Sequence, residues 1–173
     1  MSFISRLFGK GSSSSYELAE AYSSLRQMLF TTSPEKVGSE DVSLWGVVME
    51  TGYDKAVVTL VAIVDGTVSL YLSNGGGFMG KGTHEGPKQA ARRLLQAAAT
   101  FTQFCQPTST FPLPCRGRTR FFMLRGRGVL TAESETNDLG HNRESLSPLF
   151  HVAHELISQI RITDEKLNKK PIA

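Results

Sequence analysis

The residues with the clearest chemical potential lie between Asn74 and Thr83, which read NGGGFMGKGT. Gly75, four intervening residues, Gly80 and Lys81 match the opening of a phosphate-binding loop. Glycines let backbone amides converge on an anion, and a helix N-terminus beyond them adds a favourable dipole. The candidate set for a small anionic or phosphate-containing ligand is therefore Gly75, Gly76, Gly77, Gly80, Lys81, Thr83, Lys88 and Arg92. Lys88 and Arg92 fall in the first turns of the helix expected after the loop, where a bound anion would offset their unfavourable position on the dipole. The match is incomplete. Gly82 stands where a nucleotide triphosphatase needs the Ser or Thr that holds magnesium, and Thr83 comes one place late. The strand feeding the loop belongs to a meander with short turns, which must be antiparallel. A triphosphatase is not expected, and a glycine-rich crossover from sheet to helix is the competing reading.

Three other groups hold reactive types. His151 and His154 stand three residues apart on one helix, beside Glu155. That spacing could present two imidazoles to a metal, but the third ligand a catalytic zinc needs is missing. Hydrogen-bonding histidines are expected, with no metal and no cofactor. Asn137, Asp138, His141, Arg143, Glu144 and Ser145 put an acid, a base and a nucleophile in one polar loop, without motif spacing. They are the basis for a hydrolase-type enzyme as a third reading. Arg116, Arg118, Arg120, Arg125 and Arg127 surround Phe121 and Phe122, which could track a phosphate backbone and stack on bases. A net charge of only +3 argues against nucleic acid and for a solvated strand edge. Cys105 lies on an apolar helix face and should be inert; Cys115, beside Arg116 and Arg118, should react more readily if exposed.

These residues need a scaffold, and the stretch from Val42 to Thr83 provides its centre. Residues 44–50 carry apolar side chains on both faces, as a central covered strand does. Ala56 to Val64 (AVVTLVAIV) is rich in β-branched residues. Asp65-Gly66 signals a type I′ hairpin into a third strand, Val68 to Leu72. Arg118 to Leu124 and Val129 to Ser134 form a second hairpin. A first helix is expected from about Ser15 to Leu29, with Ser14 and Glu17 at capping-box spacing. A second runs from about Pro87 to Phe104, and a third from about Pro148 to Ile162. Residues 135–146 read as a polar loop. The expected fold is α+β: a five-stranded antiparallel sheet packed with three helices in the order α-βββ-α-ββ-α. Profilin-like, longin-like and roadblock-like modules share this general look, as an analogy of element order.

The 173 residues suit one domain, here 14–162, with an amphipathic segment at 1–13 and a charged tail at 163–173. In the first segment Phe3, Ile4, Leu7 and Phe8 have helical spacing, and Arg6 and Lys10 stand beside them. That pattern could give transient membrane contact, although two turns bury too little apolar area to hold lipid firmly. No apolar run approaches the roughly 18 residues that span a bilayer. Without an export signal the two cysteines are expected to be reduced in a cytoplasm.

WGVVMETGY, DGTVSLYLSNGGG and SPLFHVAHE resemble stretches of a bacterial protein family of unknown function. The resemblance implies no activity. A coherent core with no complete catalytic constellation leads to the expectation of a non-catalytic cytoplasmic binding or regulatory module. Its partner would be a protein or a second copy meeting a sheet edge or helix face. The anion-binding glycine loop is the alternative.

Overall fold

A computed structural model of the chain describes residues 16–38 and 44–168. In chain order it forms α1 (Glu20–Thr31), β1 (Leu44–Gly52), β2 (Val57–Ile63), β3 (Val68–Leu72), β4 (Gly77–Phe78) and α2 (Glu85–Phe101). Then follow β5 (Gln106–Thr108), β6 (Arg118–Arg125), β7 (Gly128–Glu135), α3 (Thr136–Gly140) and α4 (Ser147–Asn168). The strands make one sheet in the order β4-β3-β2-β1-β6-β7-β5, and every neighbouring pair is antiparallel. The class is α+β as expected, but among the described residues the sheet has seven strands where five were expected.

The two extra strands are β4 and β5, at the two edges. With two and three residues they are too short to show alternation, and Pro107 in β5 is tolerable only at an edge. Among the described residues there are four α-helices, close to the three expected. The fourth is α3, five residues inside the stretch read as a loop, anchored by the buried Leu139. The turn from β2 to β3 is not type I′, because only Gly66 has positive φ (95°). Its amide donates to the Ile63 carbonyl at 3.1 Å, and the Thr67 amide donates to Asp65 Oδ1 at 2.8 Å.

Helix α1 begins at Glu20, later than the Ser14–Glu17 spacing implied, and Ser14 itself lies outside the described residues. Tertiary bonds override the local signal. Tyr16 donates its hydroxyl to the Pro114 carbonyl at 3.0 Å, and the Ala19 amide donates to the Ser73 carbonyl at 2.8 Å. Both hold the chain extended across one end of the sheet before it can coil. Helix α4 runs beyond Ile162 to Asn168, so half of the expected tail is helical. The N-terminal segment with Phe3, Ile4, Leu7 and Phe8 lies outside the described residues.

The sheet has two unlike faces. Helices α2 and α4 pack on one, over Val47, Met49, Leu60, Ala62, Phe121 and Met123. Alanines Ala90, Ala91 and Ala98 let α2 come close, and Leu94, Leu149, Leu156 and Ile160 fill the layer. The other face carries Trp45, Val48, Val61, Ile63, Tyr71, Phe122 and Leu124, with Tyr22, Leu25 and Leu29 of α1 above them. Among the described residues no helix is long and apolar enough to cross a membrane.

Candidate functional site

On the face under α1, cross-strand pairing lines up Tyr71, Thr59, Glu50, Arg120 and Glu133 from β3, β2, β1, β6 and β7. They form one polar row through an otherwise apolar surface. Glu50 sits at its middle on the central strand and is fully buried. An isolated charge there would cost several kcal/mol, so it must be paired. Arg26 of α1 supplies the partner in a bidentate fork: Nε donates to Oε1 at 2.7 Å and a terminal nitrogen donates to Oε2 at 2.9 Å. The same nitrogen donates to the Phe111 carbonyl at 2.7 Å, which ties α1 to the proline-rich linker between β5 and β6. Tyr22, one turn before Arg26, places its hydroxyl 3.0 Å from Thr59 Oγ1 and 3.5 Å from Glu50 Oε1.

The electrostatics follow from that burial. Desolvation and then the Glu50 charge push the Tyr22 and Tyr71 hydroxyls far above the usual phenol range. Burial works against the Arg26 charge, but hydrogen bonding and attraction from Glu50 outweigh it and hold the guanidinium more firmly protonated. The Arg26 guanidinium also lies 5.0 Å from the Phe30 ring centroid, and Phe30 stacks on Phe111 at 4.2 Å.

This arrangement fixes α1 along its middle and leaves a hollow on each side. On the linker side a groove of about 400 Å³ runs past Leu18, Tyr22, Arg26, Phe30, Phe111 and Leu113. On the β3 side a trough of about 250 Å³ is lined by Leu25, Met28, Trp45, Ile63, Tyr71 and Met79, with Asp65 and Thr67 at its rim. A further hollow of about 240 Å³ shares Leu25, Tyr71 and Met79 with it and reaches Gly75 to Gly77. Met28 and Met79 are 60% and 59% exposed, and both line the trough with Trp45. Trp45 is 4% exposed, and its Nε1 is buried with no hydrogen-bond partner among the described residues.

The expected site residues fall in several places. Gly75, Gly76 and Gly77 (φ 104°, 85° and 142°) turn β3 into β4, and a Cβ at Gly77 would come within 2.5 Å of the Leu70 carbonyl oxygen. The Gly75 amide donates to the Leu72 carbonyl at 3.1 Å. Gly80 (φ 68°) starts the single 3-10 turn Lys81–Thr83, and a Cβ at Gly82 would overlap the Gly66 carbonyl oxygen. Lys81 pairs with Asp164 of α4 at 2.9 Å and lies over the Phe78 ring. Thr83 donates its hydroxyl to the Gly80 carbonyl at 3.2 Å. Lys88 and Arg92 line a different hollow, beside Asp65 and Gly66, away from Gly75 to Gly77. The loop's glycines and its cations are therefore not gathered round one point.

His151 Nε2 lies 3.0 Å from Asn142 Oδ1. His154 stacks at a tilt on Phe150 (4.3 Å), and its Nε2 is buried without a partner among the described residues. No group of three His, Cys, Asp or Glu among the described residues could hold a metal. In the polar stretch, Asp138 pairs with Arg143 at 3.3 Å, and His141 Nδ1 lies 2.7 Å from the Asn137 carbonyl oxygen. The Glu144 amide donates to Ser147 Oγ at 3.2 Å, and Ser145 is exposed. The arginines have acidic partners: Arg118 with Glu133 and Glu135, Arg120 with Glu133, and Arg116 with Asp54. Arg125 and Arg127 stand at or beside the tip of the β6–β7 hairpin. Burial raises the Cys105 thiol to about 11, in keeping with an inert thiol.

Sequence reasoning missed the Arg26–Glu50 pair. Its signal was present, since Glu50 is the lone acid within WGVVMETG and a covered strand cannot leave it unpaired. Arg26, four residues after Tyr22 beside the apolar stripe, was the matching half. The chain matches no protein-family model, no curated protein and no solved structure at a significant level.

Proposed function

We propose that this chain is a non-catalytic, cytoplasmic binding module that seats an apolar segment of a protein partner in the trough between α1 and the β2-β3-β4 half of the sheet. The observation that carries the reading is the buried Trp45 Nε1, unpartnered among the described residues, in a trough whose walls include the exposed Met28 and Met79. A buried donor without an acceptor costs roughly 1–3 kcal/mol, and a docked segment that parts the trough walls could bring a main-chain carbonyl to it. Methionines suit such a surface because their flexible, polarizable side chains repack around different apolar shapes. Asp65 at the rim disfavours an anionic occupant and tolerates a neutral or basic one.

Trp45 is the only tryptophan in the chain, so its emission reports the trough directly. A neutral apolar fluorescent probe such as N-phenyl-1-naphthylamine should bind and quench Trp45 by energy transfer. Met28→Ser with Met79→Ser should weaken that binding about tenfold while shifting stability by no more than about 0.5 kcal/mol, as exposed substitutions do. Unchanged probe affinity and Trp45 quenching in the folded double variant would overturn the assignment.

A further inference from the structure

Met28, Met49, Met79 and Met123 are the methionines among the described residues, and the fold divides them into two pairs. Met49 and Met123 belong to the layer under α2 and α4 and are 2% and 0% exposed. Met28 and Met79 stand well into solvent and line one trough, Met28 from α1 and Met79 from the loop that follows β4. Taking the trough as a binding surface, we propose that Met28 and Met79 are a paired oxidation site: a hydroperoxide turns their thioethers into sulfoxides and so closes the trough to an apolar segment.

The step is a two-electron oxygen transfer. The thioether sulfur attacks one peroxide oxygen, the O–O bond breaks and an S–O bond forms. The proton of the transferred oxygen passes to the other oxygen, which leaves as water or an alcohol. Sulfur is oxidised and the peroxide is reduced, with no other co-reactant. The attack needs an open path to the sulfur, so its rate follows exposure. Met28 and Met79 offer that path, whereas the sheet and its helices shield Met49 and Met123.

Placement decides what the added oxygen does. Leu25, Trp45, Ile63 and Tyr71 make the trough wall largely apolar, and a thioether is a soft contact that suits it. A sulfoxide carries a polar oxygen that a docking apolar segment must strip of water, which weakens binding. Met79 lines both this trough and the neighbouring hollow that reaches Gly75 to Gly77, whereas Met28 lines the trough and not that hollow. Oxidation at Met79 therefore has the larger effect. Because both side chains are exposed, the change leaves the core intact, which oxidation of Met49 or Met123 would not. Sulfoxides are reduced enzymatically back to thioethers, so the change is a reversible control.

The full chain is treated with hydrogen peroxide, then with dithiothreitol to return any cysteine disulfide or sulfenic acid to thiol. Peptide mass spectrometry should show oxygen added at Met28 and Met79 about tenfold faster than at Met49 and Met123. Affinity for N-phenyl-1-naphthylamine, read by Trp45 quenching, should fall about tenfold in the treated protein. It should return after incubation with methionine sulfoxide reductases for both epimers. Met28→Leu with Met79→Leu, which conserves volume, should bind the probe as the wild type does and keep that affinity after peroxide. Equal oxidation of all four methionines, an unchanged affinity once both sulfoxides have formed, or an equal loss in the leucine variant would each overturn the proposal while leaving the trough's binding in place. Untreated protein that does not bind the probe would overturn the trough itself, and the oxidation control with it.

Discussion

The two faces of the sheet solve the same problem by different means. Under α2 and α4 the layer is aliphatic and aromatic, and the helices come close because alanines face the strands. Under α1 a row of polar side chains crosses the sheet, and one short helix is held by a charge fork, a tyrosine and a stacked pair of phenylalanines. The first face is built for stability: its apolar contacts need no particular angle. The second face is built for position, because a bidentate fork fixes where α1 lies while leaving hollows on both flanks. A helix pinned along its middle with open sides can present grooves without being lost from the fold.

The largest expected effect tests the pin. Arg26→Met leaves the Glu50 carboxylate buried without its partner and should destabilise the protein by about 3–5 kcal/mol in urea unfolding. Adding Glu50→Leu should recover most of that loss, since an apolar pair of similar volume replaces the ions without an orphaned charge. If Arg26→Met alone costs less than about 1 kcal/mol, the fork does not hold α1 and the contrast between the faces fails.

The next effect compares packing. Leu94 of α2 is fully buried, and Leu94→Ala should cost about 2–5 kcal/mol through lost transfer energy and the cavity left behind. Leu25 of α1 is half-buried at the edge of the trough, and Leu25→Ala should cost roughly half as much, because solvent already reaches one side. Equal losses would show that the α1 side is packed as tightly as its opposite and has no open trough.

Legibility from the sequence follows the same division. Strands β1, β2, β3, β6 and β7 were readable because alternation and β-branched runs are properties of a few consecutive residues. Strands β4 and β5 were not, since their pairing is decided by where the chain passes. The start of α1 was misplaced because Ser14 and Glu17 describe a local preference, which Pro114 and Ser73 override from distant parts of the chain. The glycine loop drew attention by composition, yet Gly77 and Gly82 are required by close backbone approach to Leu70 and Gly66. The Arg26–Glu50 pair spans twenty-four residues, and only the fold shows that the two halves meet.

The smallest effect separates the faces by how each tolerates a buried titratable group. Under α1, Glu50 keeps a counter-ion; on α4, His154 has a buried Nε2 with no partner among the described residues. Burial, and then the nearby His151, holds the His154 imidazole below its ordinary value of 6.5. The folded state therefore binds that proton less readily than the unfolded chain. In the window below pH 6.5 the unfolded state carries more protons, so stability rises with pH there and falls as the solution is acidified. At neutral pH both states hold the imidazole neutral and the term vanishes. His154→Gln should consequently flatten the decline in urea midpoint as pH drops below 6.5, with little change at pH 7.5. A decline equally steep in the variant would mean that His154 gains its proton in the folded state as easily as in the unfolded one, and that the α4 side is wetter than its aliphatic lining implies.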